Sequence, residues 1–547
     1  MLTLKHFKKR FESLKALRQP RESLWRDCVH YIAPNIGCFN DPSTEKKSKR
    51  DLYYKDNINT LPAYRFRILA TSMVSNLTPS KLRWFNIQVP DETREENIWL
   101  KRQIDKMYDV YRNSDLFSNL YNAFLEASVV GTAIIGMQYD VNTVIDFIPM
   151  TVGQYYIAEG ANGFINTCYR LFSMSAEQIV EKFGRENLPH RVQEALDRDS
   201  MDELFNVIHA VEPNKQYLSE WDNPFNKPFI SAYFIENCSD DDKFLEYKGL
   251  SYFPFLVARW DRDVSSAYGG GIGETVLGDV KSLQKYEADL SKASSKMINP
   301  PMIANNNLKN AVKDVSAGSV TYTDDPNGFA ALYQLNYNTN EARQNIAAID
   351  QRIYQLTYND LFYMLSQKDK TMSATEASGI MQEKLGMLGS VVDRLQVEFL
   401  KPLIDNTFKI MLENGEFDDP PESIYEKETE ISYQSALAMS QQVSDLSNVE
   451  TFIRFATSLA TIDPASILKL NVNEIMNYYA DKMNIDLSLL KTDKEVNEII
   501  ARQQEQQNQQ QQAQMENERL EAMAKSAKDF SQADTQSSMA LEEMLGE

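Results

Sequence analysis

The run Ala267-Tyr-Gly-Gly-Gly-Ile-Gly-Glu-Thr275 comes closest, in residue type and spacing, to a chemistry of its own. Glycines ahead of a helix leave backbone N–H groups free to cradle phosphate. The lysine and Ser/Thr of a Walker loop are missing, however, and G-x-G-x-G lacks the last glycine of the dinucleotide fingerprint. A flexible joint, or close backbone packing where a helix leaves the body, accounts for Gly269, Gly270, Gly271 and Gly273 more economically. Other candidates are weaker. Asp240 to Asp242 could meet a divalent ion, and Asp261 and Asp263 flank Arg262, but without spaced partners these read as loop and surface charge. Cys28, His30 and Cys38 lack a fourth ligand and zinc spacing. Four histidines, His6, His30, His190 and His209, with no nucleophile elbow give triad chemistry nothing to stand on. No catalytic residue, cofactor or metal is expected, and the chain does not read as an enzyme.

Composition narrows the classes further. A chain of 547 residues with 43% apolar residues can bury a substantial core over two to four domains. No run of 18 apolar residues occurs, so no transmembrane helix is expected. The N-terminus is basic and amphipathic, without the apolar core of a signal peptide. Four scattered cysteines form no CxxC pair, and a reducing compartment is the default. The net charge of −21 argues against gripping nucleic acid by counterion release. It is compatible with letting nucleic acid slide past, and also with mere solubility.

The elements that would position these groups follow from periodicity. Residues 4 to 34 are helical, with Phe7, Phe11, Leu14, Leu17, Leu24, Trp25 and Val29 in register and Pro20 expected to end one helix or start another. Helices are predicted over Thr60 to Leu77, Glu95 to Tyr111 and Ser114 to Val130, the last running into a buried strand that reaches Met137. Strands follow at Val144 to Pro149, Tyr155 to Ala158, Ile165 to Phe172, Phe205 to Val211, Phe229 to Glu236 and Phe255 to Trp260. A helix interrupts them after the Ser175 capping signal. The fold class is thus α+β and mainly helical.

Beyond the glycines stand two rods. Thr275 to Met297 carries Val276, Val280, Leu283, Leu290 and Met297 among dense charge, and Asn340 to Phe362 repeats the pattern with Ile346, Ile349, Ile353 and Leu356. One narrow apolar seam on a wet helix suits side-by-side packing with copies of itself, although two ordinary amphipathic helices would read alike. Between the rods, Ser319 to Thr323 and Ala331 to Leu335 flank the turn Asp324-Asp-Pro-Asn-Gly328 as a small hairpin. After the second rod comes a polar loop with Gln367, Lys368, Lys370 and Thr371. The capping signal Ser373-Ala-Thr-Glu376 then launches a third helix, which Gly379, Gly386, Gly389 and Pro402 should bend. Ile431 to Tyr433 reads as a returning strand, and helices fill Ser435 to Leu490. Gln503 to Gln514 is solvated or helical in an oligomer, with disorder expected beyond Phe530.

In this order the parts resemble a known family. Arg18-Gln-Pro-Arg-Glu-Ser-Leu-Trp25 leads to Tyr31-Ile-Ala-Pro34. Glu126-Ala-Ser-Val-Val-Gly-Thr-Ala133 follows, then Pro254-Phe-Leu-Val-Ala-Arg-Trp260 with Tyr268-Gly-Gly-Gly-Ile-Gly273 and a helix holding Asp279, Leu283 and Tyr286. Thr375-Glu-Ala377 opens the helix that reaches Pro402-Leu403. Over roughly Phe11 to Met411 the chain resembles the portal proteins (head-to-tail connectors) of short-tailed bacteriophages. The resemblance implies a homo-oligomeric ring of about twelve copies at the portal vertex of the capsid, assembled in the host cytoplasm, with double-stranded DNA passing through without sequence specificity. It implies a wing at 1–274, stem helices at 275–297 and 338–364, a clip at 298–337 and a tunnel loop at 365–373. A long bent wing helix with its return strand fills 374–434, crown helices 435–502, and a helical-barrel or disordered tail 503–547. Under it Lys368, Lys370, Gln367 and Thr371 form the tunnel constriction, and Lys281, Lys285, Lys292 and Lys296 line the stem channel. Asn305, Lys309, Lys313, Asp324 and Asp325 present the clip to the terminase large subunit and later to tail adaptor proteins, while Gly269, Gly270, Gly271, Gly273 and Pro402 act as hinges. Major capsid and scaffolding proteins are further implied partners, and a membrane is not. A low-order helical scaffold and a nucleotide-binding enzyme built on residues 269–273 are the competing readings.

Overall fold

Helix α1 (Leu4–Ile32) is a single 29-residue helix with Pro20 inside it, so the expected break does not occur. The computed structural model describes residues 2–39, 57–90, 93–186, 188–218, 223–237, 239, 243–298, 302–304, 329–331, 339–360, 388–419, 421, 430–433, 449–459, 470–472, 475–476, 478–479 and 493–544. The N-terminal half of α1 lays Leu4, Phe7, Phe11 and Leu14 against the larger β-sheet. Its C-terminal half puts Trp25, Cys28, Val29 and Ile32 into the main core. Leu17 and Leu24, expected inside, are 65% and 36% exposed. The stripe Phe7–Phe11–Leu14 continues at four- and seven-residue steps through Arg18 to Trp25, so Arg18 takes the inner position that Leu17 misses by one residue.

The body follows in order. Helix α2 (Leu61–Leu77), strand β1 (Phe85–Gln88) and helix α3 (Arg94–Asn113), opened by a Thr93–Glu96 capping box, lead to helix α4 (Leu116–Val130). Gly131, at φ 84°, caps α4 and turns the chain directly into β2 (Thr132–Asp140), which pairs with β3 (Val144–Met150). Strands β4 (Tyr155–Glu159) and β5 (Ile165–Ser175) come next. Ser175 and Gln178 form the capping box that starts helix α5 (Ala176–Phe183), and helix α6 (His190–Asp197) follows. Strands β6 (Leu204–Pro213), β7 (Phe229–Ile235), β8 (Glu246–Leu250) and β9 (Phe255–Arg259) complete two antiparallel sheets, ordered β4-β5-β6-β7-β8 and β3-β2-β9. Residues 132–137 of β2 and all of β9 are buried, as central or helix-covered strands should be.

Helix α7 (Ile272–Ile298) rises from this body for about 40 Å at ~1.5 Å per residue. Strand β10 (Met302–Ala304) pairs with β11 (Phe329–Ala331), and helix α8 (Thr339–Leu356) returns. The insert therefore does carry a two-stranded ladder, with Met302–Ala304 as the partner strand; Ser319 to Thr323 and residues 332–335 lie outside the described residues. Residues 388–395 are helical, Gln396–Leu400 form a π turn, and helix α9 (Lys401–Glu413) continues. Strand β12 (Glu430–Tyr433) then returns to pair with β1.

Residues 1–439 form one compact unit and 440–547 another. In the second, helix α10 (Asp493–Met544) runs for 52 residues, so the disorder expected beyond Phe530 is not what the chain adopts there. Gln, Ala, Glu and Met are all strong helix formers, which explains its continuity. Side chains 501–528 are exposed throughout, Met515, Leu520 and Met523 included.

Candidate functional site

The seat of α7 is made of backbone. Gly269, Gly271 and Gly273 press on the α4–β2 corner so closely that a Cβ at 271 would lie 2.6 Å from the Gly131 nitrogen. One at 269 would drive into the Gly131 carbonyl, and one at 273 into that of Val129. Gly270 exchanges two hydrogen bonds with Asp261 (3.1 and 2.8 Å), and the Gly269 amide donates to Thr132 Oγ1 at 2.8 Å. Close packing, one of the two roles considered for this cluster, is what these three glycines do.

The same geometry bears on the phosphate reading. The amides of 269 and 270 are engaged, and that of Gly271 bonds the Glu274 carboxylate in the first turn of α7. A carboxylate of the chain itself therefore stands where an anion would bind. Glu274 also accepts from Trp25 Nε1 at 3.2 Å, and Arg21 pairs with Asp263 beside it. Burial raises the Glu274 carboxyl, an effect opposed by Arg21 and by the Trp25 and Gly271 hydrogen bonds.

Along α7 the expected seam is real but unevenly used. Val276, Val280 and Leu283 are buried, Leu290 is half-buried, and Met297 and Ile298 are 45% and 84% exposed. Helix α8 buries Ala342, Ile349 and Ile353 and leaves Leu356 exposed. Asp279 near the start of α7 bonds Arg352 near the end of α8 (Nη2 to Oδ1, 2.5 Å), which sets the two rods antiparallel. Arg65 of α2 reaches Asp350 at 3.1 Å and lies 4.7 Å from the Tyr354 ring. Lys281, Lys285, Lys292 and Lys296 share one face of α7, at steps of four, seven and four residues. Lys281 is drawn to Asp27 of α1 at 2.6 Å, 5.5 Å from the Tyr31 ring centre, whereas Lys285, Lys292 and Lys296 are exposed. Gln367, Lys368, Lys370 and Thr371, and Asn305, Lys309, Lys313, Asp324 and Asp325, lie outside the described residues.

Pro402 opens α9 two residues after the π turn. The Lys401 amide reaches back five residues to the Gln396 carbonyl, so the chain has already left the i→i−4 pattern where proline's missing N–H would break it. The wider turn carries Glu398, which meets the fully buried Arg259 at the end of β9. Arg259 also pairs with Glu159 of β4 and donates to the Gly163 carbonyl at 3.0 Å.

A family model described as "Bacteriophage head to tail connecting protein" matches residues 4–490. The chain belongs to that family. It is 30% identical to the portal protein of Salmonella phage epsilon15 over 542 residues, spanning 97% of this chain and 96% of that protein. It is 28% identical to the probable portal protein of Bordetella phage BPP-1 over 524 residues, 94% of each.

Within this head-to-tail connecting chain, the buried roles of Arg18, Glu126 and Arg259 were not legible from periodicity. Arg18 donates to the carbonyls of Gly153 (2.9 Å) and Tyr155 (3.0 Å) and to the Tyr156 hydroxyl (3.1 Å), and its guanidinium lies 3.8 Å from the Tyr156 ring centre. Each sits inside one of the motifs that carry the family resemblance. Their signal was a charge in register with apolar neighbours, which marks a satisfied buried group as well as a surface one.

Proposed function

We propose that the chain is the subunit of a ring at one capsid vertex, the conduit through which double-stranded DNA is packaged and ejected. The family match over residues 4–490 carries this reading. The rods support it: their seam is covered near the body and open toward the far end, so a copy alongside would complete it. In this assignment residues 1–274 form the wing, α7 and α8 the stem, 298–337 the clip and 365–373 the tunnel loop. Residues 374–434 belong to the wing, and 435–502 form the crown. The terminase large subunit docks on the clip during packaging, tail adaptor proteins replace it, and capsid and scaffolding proteins surround the ring. The subunit itself is not an enzyme.

Charge fits passage better than capture. Each copy brings a net −21, and a wall that repels phosphate keeps contacts few and the duplex sliding. Lys285, Lys292 and Lys296 on the stem, with Lys368 and Lys370 in the loop, then centre or brake the DNA. Negative-stain images and light scattering of the purified full-length chain test the reading. Rings of about twelve copies support it, and a compact single copy at cell-like salt overturns it.

A further inference from the structure

Glu126 lies on the inner face of α4 and is only 3% exposed. Its Oε1 is 2.7 Å from the Val152 amide and 3.1 Å from the Tyr155 hydroxyl, and its Oε2 is 2.8 Å from Thr151 Oγ1. Tyr155 Oη is 2.7 Å from the Thr132 carbonyl, and Thr151 Oγ1 accepts from the Gly37 amide at 2.6 Å. The protons in this chain of contacts can be counted.

The Val152 amide serves Oε1. The Thr151 hydroxyl serves Oε2, since its oxygen already receives the Gly37 proton. Tyr155 has one hydroxyl proton and two oxygens within reach. A carbonyl offers no proton, so the shorter contact, to Thr132, takes the one from Tyr155. The contact between Tyr155 Oη and Glu126 Oε1 is then bridged only if the carboxyl supplies a proton. Were Glu126 ionised, one of these two oxygen pairs would face each other bare inside the core.

Among the described residues, no charged group acts on this carboxyl, which burial and three hydrogen bonds govern. Of the ionisable groups on the elements around α4, Arg18 pairs with Glu22 on α1, Arg65 of α2 with Asp350, Arg259 of β9 with Glu398, and Glu274 of α7 bonds Trp25, while Lys101 of α3 buries its Nζ without a hydrogen-bond partner and does not act on the carboxyl. Tyr111 of α3 bonds Thr407, and Asp146 of β3 lies near Gln138. Tyr155 alone among them touches the carboxyl; Tyr268 and Arg18 act on Tyr155 from beyond it. Burial pushes Glu126 up to about 8, with its hydrogen bonds pulling the other way.

The position gives this proton a job. On one side the 151–155 turn receives Arg18 of α1; on the other, Thr132 Oγ1 holds the Gly269 amide at the seat of α7. We propose that Glu126 is protonated in the folded chain and that its proton is a catch joining the 151–155 turn to the Gly131–Thr132 seat of α7, loosened when the proton leaves. Because the folded carboxyl keeps its proton to higher pH than an unfolded one, its stabilising effect is full below the ordinary carboxylate range and is lost as pH rises through about 8.

Infrared difference spectra of the full-length protein test this. Wild type minus Glu126→Gln at neutral pH should show the C=O band of a protonated carboxyl; carboxylate bands in its place overturn the proposal. In wild type alone that band should fade with a midpoint near 8, and a midpoint in the ordinary carboxylate range overturns it. If Glu126→Gln does not fold, Tyr155→Phe should shift the band without abolishing it; its disappearance refutes the assignment. The catch is read by hydrogen exchange of the amides at 131–137 and 268–273, corrected for intrinsic rates. Between about pH 6 and about pH 9, wild type should lose roughly tenfold more protection than Glu126→Gln. An equal loss in both rejects the catch.

Discussion

Arg259 and Glu398 meet through two parallel hydrogen bonds, Nε to Oε2 and Nη2 to Oε1, each 2.7 Å long. The pair joins the last residue of β9 to the π turn at the head of α9, and Glu159 brings β4 to the same guanidinium. Three segments far apart in sequence are thus tied at one buried point, a few residues ahead of the glycine seat of α7. Arginine suits this place because its planar fork serves two carboxylates at once.

Replacing Arg259 with Met should cost about 3–5 kcal/mol, because Glu398 is then left inside without its partner. Arg259→Met with Glu398→Leu should recover part of that loss. Urea unfolding followed by tryptophan fluorescence reads the unit of residues 1–439, since Trp25, Trp84, Trp99 and Trp260 are all buried there. A double variant as unstable as the sum of the single variants would show that the two residues do not act as a pair.

The glycine seat gives a prediction with its own control. Gly271→Ala and Gly273→Ala should each cost about 2–3 kcal/mol, because the neighbours in the way are backbone atoms that cannot rotate aside. Gly278, inside α7, has nothing within 4 Å of a built Cβ, so Gly278→Ala should instead gain about 0.5–1 kcal/mol. Equal effects at 271 and 278 would rule out close packing as the reason for glycine here.

Much of this body was legible because its strands alternate or are wholly apolar. Val144–Met150, Phe229–Ile235 and Phe255–Arg259 stand within a residue or two of where periodicity put them. Strand β8 escaped because Glu246-Tyr-Lys-Gly-Leu250 is a polar edge strand with no buried face to mark it. The continuity of α1 through Pro20 was hidden because tertiary packing on both sides outweighs one missing hydrogen bond. The π turn left no sign beyond Pro402, and the roles of Arg18, Glu126 and Arg259 depend on partners more than 20 residues away. Periodicity reports which face is buried; it does not report what a buried charge finds there.

Acid should unsettle the larger sheet through His209. Burial holds this imidazole well below its ordinary range, and Lys182, Arg170 and Lys248 push the same way. It stacks on Tyr233 with ring centres 3.9 Å apart and meets Ser231 Oγ at 2.9 Å. Folded His209 stays neutral while the unfolded side chain takes a proton, so its stabilising effect is full above the ordinary histidine range and is lost as pH falls below it. The difference in urea midpoint between wild type and His209→Gln should therefore shrink as pH falls from about 7 to about 5. A difference that does not change with pH would contradict a neutral buried imidazole.

The clip assignment makes a sharper claim about assembly. If 298–337 serves docking alone, deleting Ile298 to Tyr337 and bridging the rods with a short linker should leave rings intact while abolishing terminase binding. Ring formation is read by negative stain and docking by co-sedimentation. A deleted chain that still supports packaging would refute the clip.

The loop lysines test the conduit itself. If Lys368 and Lys370 stand at the narrowest point of an acidic channel, they act on phosphate in proportion to their charge, and reversing them should alter passage without disturbing ring assembly. Lys368→Glu with Lys370→Glu should give rings indistinguishable from wild type by negative stain, with packaged DNA per particle reduced at least about twofold. The loss should deepen at low salt, where repulsion between the new carboxylates and the duplex is least screened. Unaltered packaging, in an assay able to resolve a twofold loss, would place the constriction elsewhere, with the exposed Lys285, Lys292 and Lys296 of α7 the next to reverse.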